Sequence, residues 1–205
     1  MAQRRPQGES PQGRRKQTGV MKALTDAVFG RLDKLAAALA PDDSLNALDL
    51  LTAQHRYVEK LFAQIGKESG VPKSAAFAEL ADILAIHAAI EERIFYPSVK
   101  SASTADLLRE SVEEHLAMKR SLADLMEIDA DSEAFDAKLE VLKEQVSHHA
   151  KAEEERKLFP LIRAEQDEGF MAALANEMIV LMVSLQEEGE PRFAVPSETS
   201  AASPL

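Results

Sequence analysis

At 205 residues with 45% apolar side chains, the chain can bury a single core without disulfides or other staples. Lys plus Arg number 24 against 35 Asp plus Glu, a formal net charge of −11, which argues against the broad basic footprint of a nucleic-acid binder, so no nucleic acid is expected as a partner. The lack of cysteine excludes thiolate zinc sites, iron–sulfur clusters and thiol nucleophiles; with no signal-type leader and no apolar run near the ~18 residues of a membrane span, a cytoplasmic protein without a span is expected.

In chain order, residues 1–19 carry Arg4, Arg5, Arg14, Arg15 and Lys16 among Gln, Gly, Pro and Ser and read as a disordered basic tail. From 20 to 40, Leu24, Ala27, Val28, Leu32 and Leu35 follow helical spacing, and Pro41 to Ser44 supply a stop and a new N-cap. The next helix, from about Ser44 to Gly66, places Leu48, Leu51, His55, Val58, Phe62 and Ile65 on one seam, with a histidine in its middle.

Gly66 and Gly70 end that helix. The following one has Phe77, Leu80, Leu84, His87, Glu91 and Ile94 as its seam and closes at Pro97. A fourth carries Leu108, His115, Met118, Leu122 and Leu125 and ends near Asp129 to Asp131. The fifth, from about Ser132 to Pro160, carries Phe135, Leu139, Leu142, Val146, His149 and Glu153. A last amphipathic segment covers 170–187, and 190–205 reads as a flexible tail. No β-type alternation competes with these patterns.

The histidines define a weak repeat. Two helical hairpins each give a histidine from the first helix (His55, His115) and His-x-x-x-Glu from the second (His87 with Glu91, His149 with Glu153). The expected fold class is all-α: an up-down-up-down four-helix bundle over 44–163 with additional N- and C-terminal helices and one site in its core. A lone histidine on an apolar face is more often a hydrogen-bonded core residue than a ligand. Here four of the five histidines take one equivalent position in four successive helices. Two carboxylates buried beside four imidazoles require positive charge between them. A pair of divalent ions fits: imidazole and carboxylate suit iron, manganese or zinc, and carboxylates bridge two-metal sites.

The set Gln-His-Arg-Tyr-Val-Glu-Lys-Leu-Phe at 54–62, His87-x-x-x-Glu91-Glu92 ending in Phe-Tyr-Pro, Glu-Glu-His at 113–115, and His148-His149 through Glu153 ending in Leu-Phe-Pro resembles the hemerythrin-like, His-His-Glu cation-binding family. The resemblance implies a non-haem di-iron centre, with zinc or manganese as substitutes, and His55, His87, Glu91, His115, His149 and Glu153 as metal ligands. It also implies binding of O2 or a related small molecule for sensing, storage or transport; the alternatives are a di-iron enzyme acting on peroxide or oxidising ferrous iron, and an iron-responsive sensor or scaffold. Glu91 precedes Pro97 by six residues and Glu153 precedes Pro160 by seven. The extra residue leaves Glu154 as the alternative to Glu153, and His149 four residues upstream favours Glu153. His148 is open as a further ligand, a supporting partner or a solvent-facing residue, with Tyr57, Glu59 and His148 the candidate proton donors for the enzymatic alternative.

Overall fold

A computed structural model describes residues 45–205; the tail expected at 1–19 and the leading helix expected at 20–40 lie outside the described residues. Among the described residues the chain is helical and has no strand. Helix α1 covers Ala47–Ile65, and Asn46 caps it by accepting the Asp49 N–H at 3.0 Å. Helix α2 runs over 70–99 in three parts: regular Gly70–Ile90, a wider π-helical turn at Glu91–Phe95, and Tyr96–Val99. Helix α3 covers Ala105–Met126. Helix α4 runs over 133–165, with regular Glu133–Ser147, a π-helical stretch at His148–Leu158, and Phe159–Glu165. Ser132 caps α4, and Asp167 caps α5, Glu168–Glu187.

Short turns join α1 to α2 and α3 to α4, and each hairpin packs along its length, so the expected bundle forms. The seam residues picked from the spacing fill the core: Leu48, Leu51, Ile65, Leu80, Leu108, Leu125, Phe135 and Leu142 are at most 2% exposed. Phe77 and Phe135 meet edge to face at 5.0 Å between ring centres. Phe95, Tyr96 and Phe159 are likewise almost fully buried, around the histidine level of the bundle.

Both interruptions of helical regularity precede a proline. In a regular helix the ring of Pro97 would press on the carbonyl of Arg93, and that of Pro160 on the carbonyl of Arg156. The wider turn relieves that contact: the N–H of Tyr96 donates to the carbonyl of Glu91, and the N–H of Phe159 to that of Glu154, each five residues back.

Helix α5 packs on α1 and α2 through Met171, Leu174, Ala175, Met178 and Met182. By length and composition alone it is apolar enough to cross a membrane, and 28% of its most apolar stretch is buried against the bundle. Residues beyond it differ from the flexible tail expected at 190–205. Pro191–Glu198 forms a 3₁₀ segment packed on α2 and α3. Arg192 pairs with Asp82 at 2.7 Å, Glu198 pairs with Lys119 at 2.9 Å, and Val195 between them is 2% exposed. Val195 is the one buried apolar side chain of that segment, since Phe193 is 63% exposed, and that is too little for a periodicity argument, so ion pairs with distant helices fix it.

A buried histidine–carboxylate cluster as candidate metal centre

Seam position and helix packing bring His55 from α1, His87 and Glu91 from α2, His115 from α3 and His149 from α4 to one level of the core, all at most 6% exposed. Glu91 Oε2 lies 3.2 Å from His87 Nε2, 3.2 Å from His115 Nε2 and 3.8 Å from His149 Nε2. The second carboxylate is Glu154. Its Oε2 lies 3.1 Å from His55 Nε2 and 3.6 Å from His149 Nε2.

Glu153, the residue favoured by spacing, points elsewhere. Its carboxylate takes both hydrogen bonds of the Lys157 ammonium, at 2.7 and 2.6 Å, with His148 Nε2 3.3 Å away. The reason is the π-helical stretch His148–Leu158: its wider turn brings the residue five positions after His149, rather than four, onto the same face. With Glu154 as the inward carboxylate the two halves agree downstream, since Glu91 precedes Pro97 and Glu154 precedes Pro160 by six residues alike. The extra residue of the second half lies between histidine and glutamate, not between glutamate and proline.

Each imidazole is held from behind. His55 Nδ1 lies 2.8 Å from Glu155 Oε1, His87 Nδ1 2.9 Å from Gln54 Oε1, His115 Nδ1 3.0 Å from Glu92 Oε1, and His149 Nδ1 2.8 Å from Glu114 Oε2. An oxygen acceptor at Nδ1 fixes a proton there and turns Nε2 inward, the arrangement common behind metal-bound histidines. The pattern follows the internal repeat. The residue before the first histidine of each hairpin, Gln54 or Glu114, supports that hairpin's second histidine. The residue after the inward glutamate, Glu92 or Glu155, supports the first histidine of the other hairpin.

From sequence, Glu92 and Glu155 read as either surface residues or supports of the neighbouring ligands, and Gln54 and Glu114 have no assigned role. Their signal was adjacency to the ligands, but which histidine each reaches depends on helix packing. Tyr96 was also missed. Its hydroxyl lies between Glu91 Oε2 at 3.2 Å and Glu154 Oε1 at 3.1 Å and shares its one proton with the two carboxylates, and its ring stacks on His115 at 5.6 Å. Its counterpart before the second proline, Phe159, stacks on His55 at 6.1 Å. His148 is the solvent-facing alternative: its side chain is 60% exposed.

The cluster fits a metal ion on its own chemistry. Glu91 Oε1 is buried with no hydrogen-bond partner, and His55 Nε2 and Glu154 Oε2, 3.1 Å apart, are two acceptors left unmatched unless a second proton or a cation joins them; buried polar atoms left unmatched cost about 1–3 kcal/mol each. His115 Nε2 and His149 Nε2 face each other at 3.0 Å, where two lone pairs repel unless a proton or a cation lies between or beside them. Two overlapping groups offer ligand atoms within 4.8 Å of one another: His87, Glu91, His115 and His149, and His55, His87, Glu91 and Glu154.

Without metal, protons balance the carboxylates. Burial alone would lower the His149 pKa, but the nearby Glu154 charge and hydrogen bonds to Glu114 and Glu91 raise it to about 10. His55 is opposed by burial in the same way and raised to about 9 by hydrogen bonds to Glu154 and Glu155. Burial drives His87 down to about 3, against the opposing charge of Glu91. Burial pushes Glu91 up, while His87, His115 and His149 around it pull it well below the usual carboxylate range. Burial and the charge of Glu91 raise Glu154.

On one flank of the cluster is a cavity of about 30 Å³. The four imidazoles form one wall, and Val58, Leu84, Ala88, Leu122, Val146 and Val195 contribute to the apolar remainder. Water occupies about 10–15 Å³ on the same measure, so the space suits a molecule of two or three heavy atoms.

A helical bundle that closes four imidazoles and two carboxylates around unmatched lone pairs defines a metal-cation-binding bundle protein. The profile of the Hemerythrin HHE cation binding domain matches residues 46–177, and the chain belongs to that family. Among solved structures the chain is similar to a Hemerythrin HHE cation binding domain-containing protein from Mycobacterium kansasii, with TM-score 0.64, 21% identity, and coverage of 76% of this chain and 94% of that one; at that identity the likeness is one of fold. Among curated proteins it is 26% identical over 149 residues to a protein named DNA nickase from Nostoc sp. (strain PCC 7120 / SAG 25.82 / UTEX 2576). The match takes in 71% of this chain and 42% of that relative, so the chain spans less than half of the relative's length.

Proposed function

We propose that this chain binds O2 or another small neutral molecule at a di-iron centre held by His55, His87, Glu91, His115, His149 and Glu154. The observation that carries the reading is the roughly 30 Å³ apolar cavity against the imidazole wall, sized for a diatomic and poor in polar partners for water. Family membership supports a metal cation in the cluster, and iron is chosen because imidazole with carboxylate suits it and it is redox-active. Two iron ions there would supply open coordination positions and two electrons.

The chain's own residues favour retention over turnover. Leu84, Leu122 and Val146 keep water from the imidazole wall, and Lys119, the ammonium group in the lining, is held between Glu92 at 2.7 Å and Glu198 at 2.9 Å. The donors expected from sequence are engaged elsewhere: Tyr57 donates to Glu79, Glu59 pairs with Lys151, and His148 faces solvent beside Glu114 and Glu153. The Tyr96 hydroxyl is committed to Glu91 and Glu154.

The test uses full-length, iron-loaded protein reduced without air. An optical change on adding O2 that reverses when O2 is removed supports binding. Oxygen release from added H2O2 in proportion to iron content, or net oxidation of added ferrous iron, would assign the enzymatic alternative instead. No response of an iron-loaded sample to O2, to H2O2 or to ferrous iron overturns both. The nickase name of the Nostoc relative carries no second reading, because a net charge of −11 opposes a phosphate backbone and most of that relative's length lies outside the match.

A further inference from the structure

Ala85 and Val195 belong to two spaces at once. They line the cavity of about 30 Å³ against the imidazoles, and also an outer hollow of about 190 Å³ between α2, the end of α5 and the 3₁₀ segment, where Ala89, Leu185 and Ala194 are neighbours. Only these two side chains are common to both walls. Val195 is therefore the partition between solvent-side hollow and buried cavity, and it is held by its own segment. In a 3₁₀ turn residues three apart eclipse, so Arg192, Val195 and Glu198 share one face. Arg192 is pinned to Asp82 at 2.7 Å and Glu198 to Lys119 at 2.9 Å, which presses the valine between them onto α2. The segment leaves α5 through Gly189, whose φ of 134° other residues rarely adopt.

A second approach to the cavity, among the described residues, is polar. Lys119 lines both the cavity and a hollow of about 450 Å³ under residues 197–204, but its ammonium is fixed between Glu92 at 2.7 Å and Glu198 at 2.9 Å. A neutral gas gains nothing from a charged plug, whereas the Ala85–Val195 partition is itself apolar, with Ala89, Leu185 and Ala194 beside it in an outer hollow whose rim carries Arg93, Glu188, Glu190 and Glu198.

We propose that Val195 is the gate through which small neutral ligands reach the imidazole wall, passing from the outer hollow at Ala89 between α2 and the 3₁₀ segment. The proposal rests on the reading that the cavity takes such a ligand.

The experiment measures nitric oxide association and dissociation by stopped flow on the iron-loaded, anaerobically reduced full chain. Ala89→Leu fills the outer hollow without touching the cavity and slows both rates; Val195→Ala speeds both; each change is about tenfold, within the spread that access variants show, and the Kd stays constant. A second readout needs no metal. Dissolved O2, a paramagnetic probe, enhances relaxation of the Leu84 and Val58 methyl groups in the metal-free chain, and Ala89→Leu reduces that enhancement. Unchanged rates in both variants would overturn the gate, as would a Kd shift with unaltered association, which would place the effect inside the cavity. Failure of the iron-loaded wild type to bind nitric oxide would refute the ligand reading itself, while O2 relaxation at Leu84 still decides the path.

Discussion

The two hairpins solve one problem with different local geometry. In the first, His87 and Glu91 are a regular i,i+4 pair, and the wide turn begins only at the glutamate. In the second, the wide turn begins at His148 and contains both His149 and Glu154, so a five-residue step does the work of four. One additional residue in the chain is thus absorbed by the helix without displacing either carboxylate from the core. The lesson is that the ligand register of a helix is set by its local winding, and a spacing rule holds only where the winding is regular.

The largest expected effect breaks that comparison directly. Glu154→Ala loses iron from the cluster, whereas Glu153→Ala, which removes a partner of the exposed Lys157 and His148 side chains, keeps wild-type iron content by metal analysis. Equal loss from both would return the ligand role to Glu153. Next come the supporting residues, where the repeat makes a symmetric claim. Gln54→Leu and Glu114→Leu each free the Nδ1 of a second-helix histidine and are expected to weaken metal binding about 10–100-fold, measured by competition with a chelator.

A smaller effect follows from the protons of the metal-free cluster. His55 and His149 are raised to about 9 and about 10, so both hold a second proton at neutral pH. Metal must displace those protons, and affinity therefore rises with pH until it passes those values, by about tenfold per pH unit for each proton released. Calorimetry of zinc loading in two buffers of different protonation enthalpy reads the release; its absence would mean that the imidazoles are already neutral. The smallest effect sharpens the comparison. Deleting Ala152 gives the second hairpin the four-residue spacing of the first, and the variant is expected to keep its iron while α4 loses its extended wide turn, seen in amide exchange protection over 148–158.

Much of this was legible in the sequence for a physical reason. Buried seams of Leu, Val and Phe at alternating three- and four-residue steps leave helix packing little choice, so the bundle and the level shared by His55, His87, His115 and His149 followed from periodicity. Glu91 followed because its helix is regular up to that residue. Glu154 did not, because a helical period of 3.6 cannot anticipate a π-helical turn, although Pro160 six residues on was a signal for it. Tyr96 and the four supporting residues lay beside the ligands in sequence, but their roles depend on which helix faces which. The 3₁₀ segment gave the weakest signal, since ion pairs to Asp82 and Lys119 rather than an apolar stripe hold it in place.

The central claim is that this cluster is a metal centre closed by Glu91 and Glu154. Iron-edge anomalous diffraction from crystals of the iron-loaded protein tests it most directly. The expected map has iron density among His87, Glu91, His115 and His149 and among His55, His87, Glu91 and Glu154, with Glu153 still on Lys157. A cluster without iron density, or Glu153 turned onto the metal with Glu154 outside, would contradict it.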